Sequence, residues 1–147
     1  MKTSRSLKIA AAIAVSALAL TGINATAASA ADSKKIYTLG GTDPFFAVVK
    51  NGFDSAADTV KAGGSTATWL AIKDWSNAGP DMNKITQTAV NAGADAIATP
   101  IWGAAAQVPA LQAVVKKGIP VVLYNTGIEL VKKVGALGYV GADDYVA

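Results

Sequence analysis

The chain has 147 residues, 52% of them hydrophobic and 16% charged, a composition typical of a folded domain rather than a disordered segment. It contains no cysteine and no histidine, which excludes disulfide scaffolds, thiol and imidazole nucleophiles and the usual zinc ligands. Lys2, Arg5 and Lys8 account for the net charge of +3, since ten basic and ten acidic residues follow them. We therefore expect no nucleic-acid partner, no metal and no cofactor.

The first thirty residues have the order of a secretory signal peptide. Basic residues come first, 9–20 form an uncharged apolar stretch, and Ala28-Ser29-Ala30 matches a signal-peptidase site. The alternative, a membrane anchor, needs roughly 20 apolar residues, and this stretch is shorter. We predict a signal peptide at 1–30 and an exported chain at 31–147, in the periplasm or otherwise outside the cytoplasm. Since these residues include no cysteine, we expect no lipid anchor.

The exported part begins with a predicted strand and helix. Residues 36–39 predict the strand. Asp43 followed by Pro44 predicts a helix start, because a carboxylate caps free N–H groups and proline in the first position loses no hydrogen bond. Gly63 and Gly64 predict the end of this helix. The apolar residues that we expect on its inner face are Phe45, Val48, Val49, Ala56, Ala57 and Val60.

The strand–helix unit then repeats along the chain. Strands are predicted at 66–72, 94–98, 121–124 and 136–140, with helices at 81–92 and 104–117 and a loop at 125–133. The residues expected to face inward from these two helices are Met82, Ile85, Ala89 and Val90, and Val108, Leu111, Val114 and Val115. This alternation predicts an α/β fold, a parallel doubly wound sheet with helices on both faces.

Ligands of such sheets bind beyond the carboxyl ends of the strands. The loops there carry rings and oxygen-bearing side chains, and the candidate ligand-binding residues are Asp43, Phe45, Phe46, Asp74, Trp75, Trp102, Asn125 and Asp143. Sugars suit such a surface, since their C–H faces stack on rings and their hydroxyls bond carboxylates and amides. A wrong sugar leaves a buried group unpaired, at a cost of about 1–3 kcal/mol. No arginine follows Arg5, so an uncharged polyol fits better than an anion.

Each candidate also has a structural interpretation. Asp43 and Asp143 can serve as helix caps, the phenylalanines as core residues, and the tryptophans as covers over apolar edges. The loop that begins at Gly40 lacks the G-x-G-x-x-G spacing, and its carboxylate would repel a pyrophosphate, so we reject a dinucleotide site.

Several ordered motifs resemble the ribose-type periplasmic sugar-binding proteins, of the type I periplasmic binding protein superfamily. Thr42-Asp43-Pro44-Phe45-Phe46, with Val49-Lys50-Asn51-Gly52, is similar to that family's Asn-Pro-Phe-Phe…Lys-x-Gly opening. The family's later junctions resemble 92–97, 117–122 and 139–144. The resemblance implies the N-terminal lobe of a two-lobed protein that closes on a sugar and delivers it to the permease of an ABC importer. It also implies a monomer and no catalysis.

The resemblance also implies site residues. In the ribose type, the residue before the proline hydrogen-bonds the sugar, two phenylalanines stack on it, and an Asp-Arg pair after the fourth strand grips its hydroxyls. The matching positions are Asp43, Phe45, Phe46 and Asn125-Thr126. Asp43 replaces asparagine, Asn125-Thr126 replaces Asp-Arg, and Trp75 and Trp102 are additional. These departures argue against ribose and leave a sugar, a cyclic polyol or a furanose signal as the expected ligand.

The family is about twice this length, so we expect a fragment with half a cleft that binds sugar weakly or not at all alone. Three other interpretations are open to test. A transcription regulator of the same fold needs a helix-turn-helix where the export signal stands, and a secreted hydrolase needs a G-x-S-x-G or acid–base pair. A binding protein that presents its ligand to a chemoreceptor is not separable by sequence from a transport subunit.

Overall fold

The computed structural model describes residues 32–142. The elements in chain order are β1 (Lys35–Gly41), α1 (Pro44–Ala62), β2 (Thr66–Ile72), α2 (Ala78–Asn91), β3 (Ala96–Thr99), α3 (Ala104–Lys116), β4 (Val121–Tyr124), a 3₁₀ turn (Ile128–Leu130), α4 (Val131–Val134) and β5 (Gly138–Val140). The five strands form one sheet in the order β2-β1-β3-β4-β5, and every pair is parallel. This confirms the predicted α/β class.

The strand order places a topological switch beside β1. The chain passes from β1 to β2 on one side, then returns to β3 on the other side and continues to β4 and β5. Since such crossovers are right-handed, the reversal puts α1 on one face of the sheet and the later helices on the other. Accordingly, α1 packs against β1 and β2, whereas α2 packs against α3, and α3 against α4.

Helix α1 starts as predicted, but its inner face differs from the prediction. Asp43 Oδ1 accepts hydrogen bonds from the Phe45 and Phe46 backbone N–H groups, at 3.0 and 3.3 Å. Phe46 is the one residue of α1 that is fully buried, while Phe45 and Val48 are 55% and 71% exposed. Ala56 is exposed as well. The prediction was wrong for these three residues because α1 rests on β1 and β2 through the neighbouring stripe that begins at Phe46.

The two following helices bury the residues that the pattern indicated. Met82 and Ala89 of α2, and Val108, Leu111 and Val114 of α3, lie in the core. Helix α2 begins at Ala78 rather than at residue 81, because Pro80 fits in the first turn, where its missing N–H has no intrahelical partner. The loop predicted at 125–133 was wrong in part, since it folds into the 3₁₀ turn and α4.

Strands β3 and β5 are shorter than predicted. The N–H of Ala94 bonds back to the carbonyl of Ala89, which ties residue 94 to the end of α2 instead of to the sheet. The Asp95 carboxylate accepts from the Lys35 N–H at 2.8 Å, so it fastens the start of β1. Within residues 32–142, no helix is both long enough and apolar enough to cross a membrane.

Candidate functional site

The site lies where β1, β2 and β3 end, beside the topological switch. Its centre is an aromatic cluster that we define as Phe45, Phe46, Trp75, Trp102 and Tyr124. The Phe46 ring contacts the other four, with centroids 5.1 Å from Phe45, 6.1 Å from Trp75, 5.1 Å from Trp102 and 6.4 Å from Tyr124. The two indoles lie closest, at 4.3 Å. Four predicted ligand-binding residues are therefore brought together on one wall.

The cluster contains a buried ring that packs against the fold and exposed rings that face solvent. Phe46 is 3% exposed and anchors α1, whereas Phe45 is 55% and Trp75 is 41% exposed. Single exposed apolar residues are common on protein surfaces, but exposed rings that share one patch are typical of a contact surface. The rings of Phe45 and Trp75 are therefore the most exposed ones of the cluster.

Asp43 lies beneath this wall with half of its carboxylate unused. Oδ1 caps α1, but Oδ2 is buried and has no hydrogen-bond partner among the described residues. Its neighbour is Gly41, where an added Cβ would lie 2.8 Å from Asp43 Oδ2 and 2.6 Å from Cζ2 of Trp75. Glycine is needed at 41 because the indole and the carboxylate occupy the space that a side chain would fill. A buried acceptor without a donor is costly, so Oδ2 is an unsatisfied polar atom within the site.

Asn125 is the residue that follows β4, at the same rim of the sheet as Phe45. Its backbone is left-handed, with φ of 63°, its N–H donates to the Val140 carbonyl at 3.1 Å, and its own carbonyl accepts from the Tyr139 hydroxyl at 2.7 Å. These bonds fix the turn that carries the amide side chain. Asn125 and Phe45 line one open cavity of about 400 Å³, which suits a small solute.

Asp74 does not join this cluster in the described structure. The Asp74 Oδ1 accepts from the Ser76 hydroxyl and N–H, at 2.7 and 2.9 Å, which closes a local turn on the surface. These two hydrogen bonds lower the pKa of Asp74, and the bond from the Ser76 hydroxyl contributes more than the bond from the Ser76 N–H. Asp143 lies outside the described residues. Among residues 32–142, no group of three or more carboxylates is placed to hold a metal ion.

The sequence interpretation missed two residues that build the site, Tyr124 and Gln107, and named a third, Thr126, only through the family resemblance. Tyr124 adds a fifth ring, and its hydroxyl donates to the Leu39 carbonyl at 2.5 Å; burial raises its pKa well above the usual range. Gln107, 1% exposed, holds the loop before α3. Thr126 Oγ1 donates to the Ile101 carbonyl at 2.9 Å and accepts from its N–H at 3.1 Å. Tyr124 was findable, since it ends a strand at the predicted rim.

The chain matches a known protein family over most of its length. Residues 36–147 match the model of the periplasmic binding protein domain. The chain belongs to the periplasmic binding protein family. Because this match covers most of the chain and includes every residue of the aromatic cluster, the family assignment and the fold rest on the same residues.

Solved structures agree with the family. A carbohydrate transporter from Acidothermus cellulolyticus 11B, in complex with myo-inositol, is 32% identical with a TM-score of 0.66, over 78% of this chain and 38% of that one. An ABC transporter periplasmic solute-binding protein from Actinobacillus succinogenes 130z, with bound D-allose, is 19% identical with a TM-score of 0.62, over 77% and 40%. The second likeness shows the fold alone. The chain thus spans about two fifths of these proteins, and a search of curated proteins finds no significant match.

Proposed function

We propose that this chain forms one wall of the ligand cleft of an exported sugar- or polyol-binding protein that serves an ABC importer and is not an enzyme. The observation that carries the proposal is the aromatic cluster at the carboxyl ends of the strands, in which the rings of Phe45 and Trp75 are exposed. Support comes from the family and from the printed ligands of the two solved structures, myo-inositol and D-allose.

The chemistry of the wall favours an uncharged hydroxylated ring. Phe45 and Trp75 offer exposed faces for C–H groups, the amide of Asn125 can donate and accept, and the buried Asp43 Oδ2 can accept from one hydroxyl only when the groups around it make room. The described rim loops carry the carboxylates of Asp43, Asp74 and Glu129 against the single ammonium of Lys73, so an anionic solute would be repelled.

Titration of 15N-labelled chain, without residues 1–30, tests the binding proposal. With myo-inositol or D-allose, we expect saturable shifts of the Trp75 and Trp102 indole N–H signals in the millimolar range, since one wall supplies only part of the contacts. Hexuronic acids, the anionic control, should leave both signals in place. Asp43→Asn keeps a capping oxygen but replaces an acceptor by a donor, so it should weaken binding. No shift with any polyol, or an unchanged affinity in Asp43→Asn, would overturn the proposal.

Export is a separate part of the proposal, because residues 1–30 lie outside the described residues. The Ala28-Ser29-Ala30 site predicts that the mature chain begins at Ala31. Expression of the whole chain in a bacterium, followed by intact-mass measurement of the extracytoplasmic fraction, should give that N-terminus. An uncleaved chain found only in the cytoplasm would contradict export and leave the binding proposal standing.

A further inference from the structure

The relative position of the Trp75 and Trp102 indoles depends on other residues of the two loops that carry them. Trp75 follows β2 and Trp102 follows β3, so each is carried by a separate loop, yet their ring centroids lie 4.3 Å apart with 54° between the planes. Loops of this kind are ordinarily the mobile part of an α/β rim. A fixed pair therefore requires a fixed distance between the two loops.

That distance is set by backbone contact between two glycines. Gly79 is in the first turn of α2, and Gly103 is the residue before α3. A Cβ added at Gly103 would lie 2.7 Å from the Cα of Gly79, and one added at Gly79 would lie 3.2 Å from the Cα of Gly103. Both obstacles are backbone atoms, which no side-chain rotation removes. Gly103 has φ of −143°, so closeness and not conformational freedom requires glycine there.

A buried glutamine fixes the second loop from behind. Gln107 Oε1 accepts from the N–H groups of Trp102 and Gly103, at 2.7 and 2.8 Å, and its Nε2 donates to the Pro100 carbonyl at 3.0 Å. The glutamine thereby reaches back from α3 to the two residues before it, whereas Gly103 has no side chain that could cap the helix. Because Gln107 accepts a hydrogen bond from the N–H of Trp102 itself, it fixes the backbone position from which the Trp102 indole extends.

We infer that Gly79, Gly103 and Gln107, the loop frame, are positioning residues that set the spacing of Trp75 and Trp102 and thereby the ring shape that the wall accepts. This rests on the proposed function for the meaning of the wall, but not for the existence of the frame. A wall of two indoles at fixed spacing discriminates between ring puckers and substituents better than two independent rings, because less freedom is lost on binding.

The frame is tested by circular dichroism, because two close indoles couple and give an exciton couplet that does not need a ligand. Gly103→Ala and Gln107→Met should each lose most of the couplet and weaken polyol-induced shifts of the Trp102 indole several-fold. The matched controls are Gly52→Ala, where nothing lies within 4 Å, and Gln112→Met, whose side chain bonds only the Lys133 carbonyl. Both controls should keep the couplet.

Two further variants keep the test decisive if Gly103→Ala does not fold. Gly79→Ala meets milder contacts and should reduce the couplet in a folded protein. Gln107→Glu keeps the acceptor for both N–H groups and should retain more of the couplet than Gln107→Met. Folded variants with an unaltered couplet would overturn the frame. A lost couplet in a protein that binds no polyol would instead support the frame and sink the proposed function.

Discussion

The two faces of the sheet differ in how completely helices cover them. On the face under α2 and α3, which we call the covered face, Leu39, Val121 and Leu123 are 0% exposed and Ile97 is 1% exposed. On the other, the open face, Val140 is 66% exposed, and a groove of about 360 Å³ runs between the sheet and α1. The residues that line the groove from the sheet are Thr38, Trp69, Ala98, Val122, Tyr124 and Val140.

The difference follows from the crossovers. Helices α2 and α3 connect strands in one direction and so share a face, whereas α1 is the one described helix on the open face. Burial of apolar side chains is the main stabilising contribution to folding, so most of the stability of this domain comes from the covered face. The candidate site sits at the rim where both faces end, with Trp102 on the well-packed side and Phe45 on α1.

The largest effect separates neighbouring residues of β4 that point to opposite faces. Leu123→Ala should lower the free energy of unfolding by about 3 kcal/mol, because it leaves a cavity in a fully buried layer. Val122→Ala, on the open face, should cost about 1 kcal/mol or less. Urea unfolding followed by far-ultraviolet circular dichroism measures both. Equal losses would mean that the open face is as tightly packed as the covered one.

The next effect asks how α1 is held. Phe46→Leu should cost about 1.5 kcal/mol, because it removes a ring that contacts five others. Its neighbour Phe45 is 55% exposed, and Phe45→Leu should change stability by less than about 0.5 kcal/mol. The same unfolding measurement compares them. A reversed order would show that the stripe at Phe45, and not the one at Phe46, anchors the helix.

A third pair separates the capping oxygen from the unpaired one. Asp43→Ala should cost about 1 kcal/mol because the N–H groups of Phe45 and Phe46 lose their acceptor. Asp43→Asn keeps a capping oxygen and should be close to neutral in stability, although it is expected to weaken polyol binding. Thermal unfolding monitored at several urea concentrations gives the comparison. An Asn variant as unstable as the Ala variant would show that the charge, and not the capping oxygen, stabilises α1.

Sequence patterns predicted the covered face better than the open one for a physical reason. In α2 and α3 the large apolar side chains lie on one helical face, so periodicity identifies what these helices bury. Helix α1 starts with Phe45-Phe46 and Val48-Val49, two adjacent stripes, and the choice between them depends on Trp69 and Phe53, which pack at 5.5 Å. Tertiary contact of this kind has no periodic signal.

The rim was predictable from strand ends, but its supports were not. Asp43, Phe46, Trp75 and Trp102 all follow strands, and parallel topology brings such positions together. Gln107 lies within a helix and reaches back to residues 100, 102 and 103, a contact that no residue spacing announces. Asp74 closes a local turn with Ser76, a role that sequence alone does not distinguish from a ligand contact, and its contact with ligand stays a prediction.

The smallest effect concerns Tyr124, which faces the open side yet is bonded across the sheet to Leu39. Burial raises the pKa of this phenol, so the folded state keeps its proton where the unfolded chain, with the ordinary value of 10.0, begins to lose it. The stabilisation is therefore complete below pH 10 and is lost as the pH rises above it. The loss should be about 0.4 kcal/mol at pH 10, relative to neutral pH. Tyr124→Phe should lack this part of the alkaline decline while sharing all other titrations, so urea unfolding of both proteins at neutral pH and at pH 10 isolates it. Parallel declines would mean that water reaches the hydroxyl through the groove and that the open face is wetter than its lining suggests.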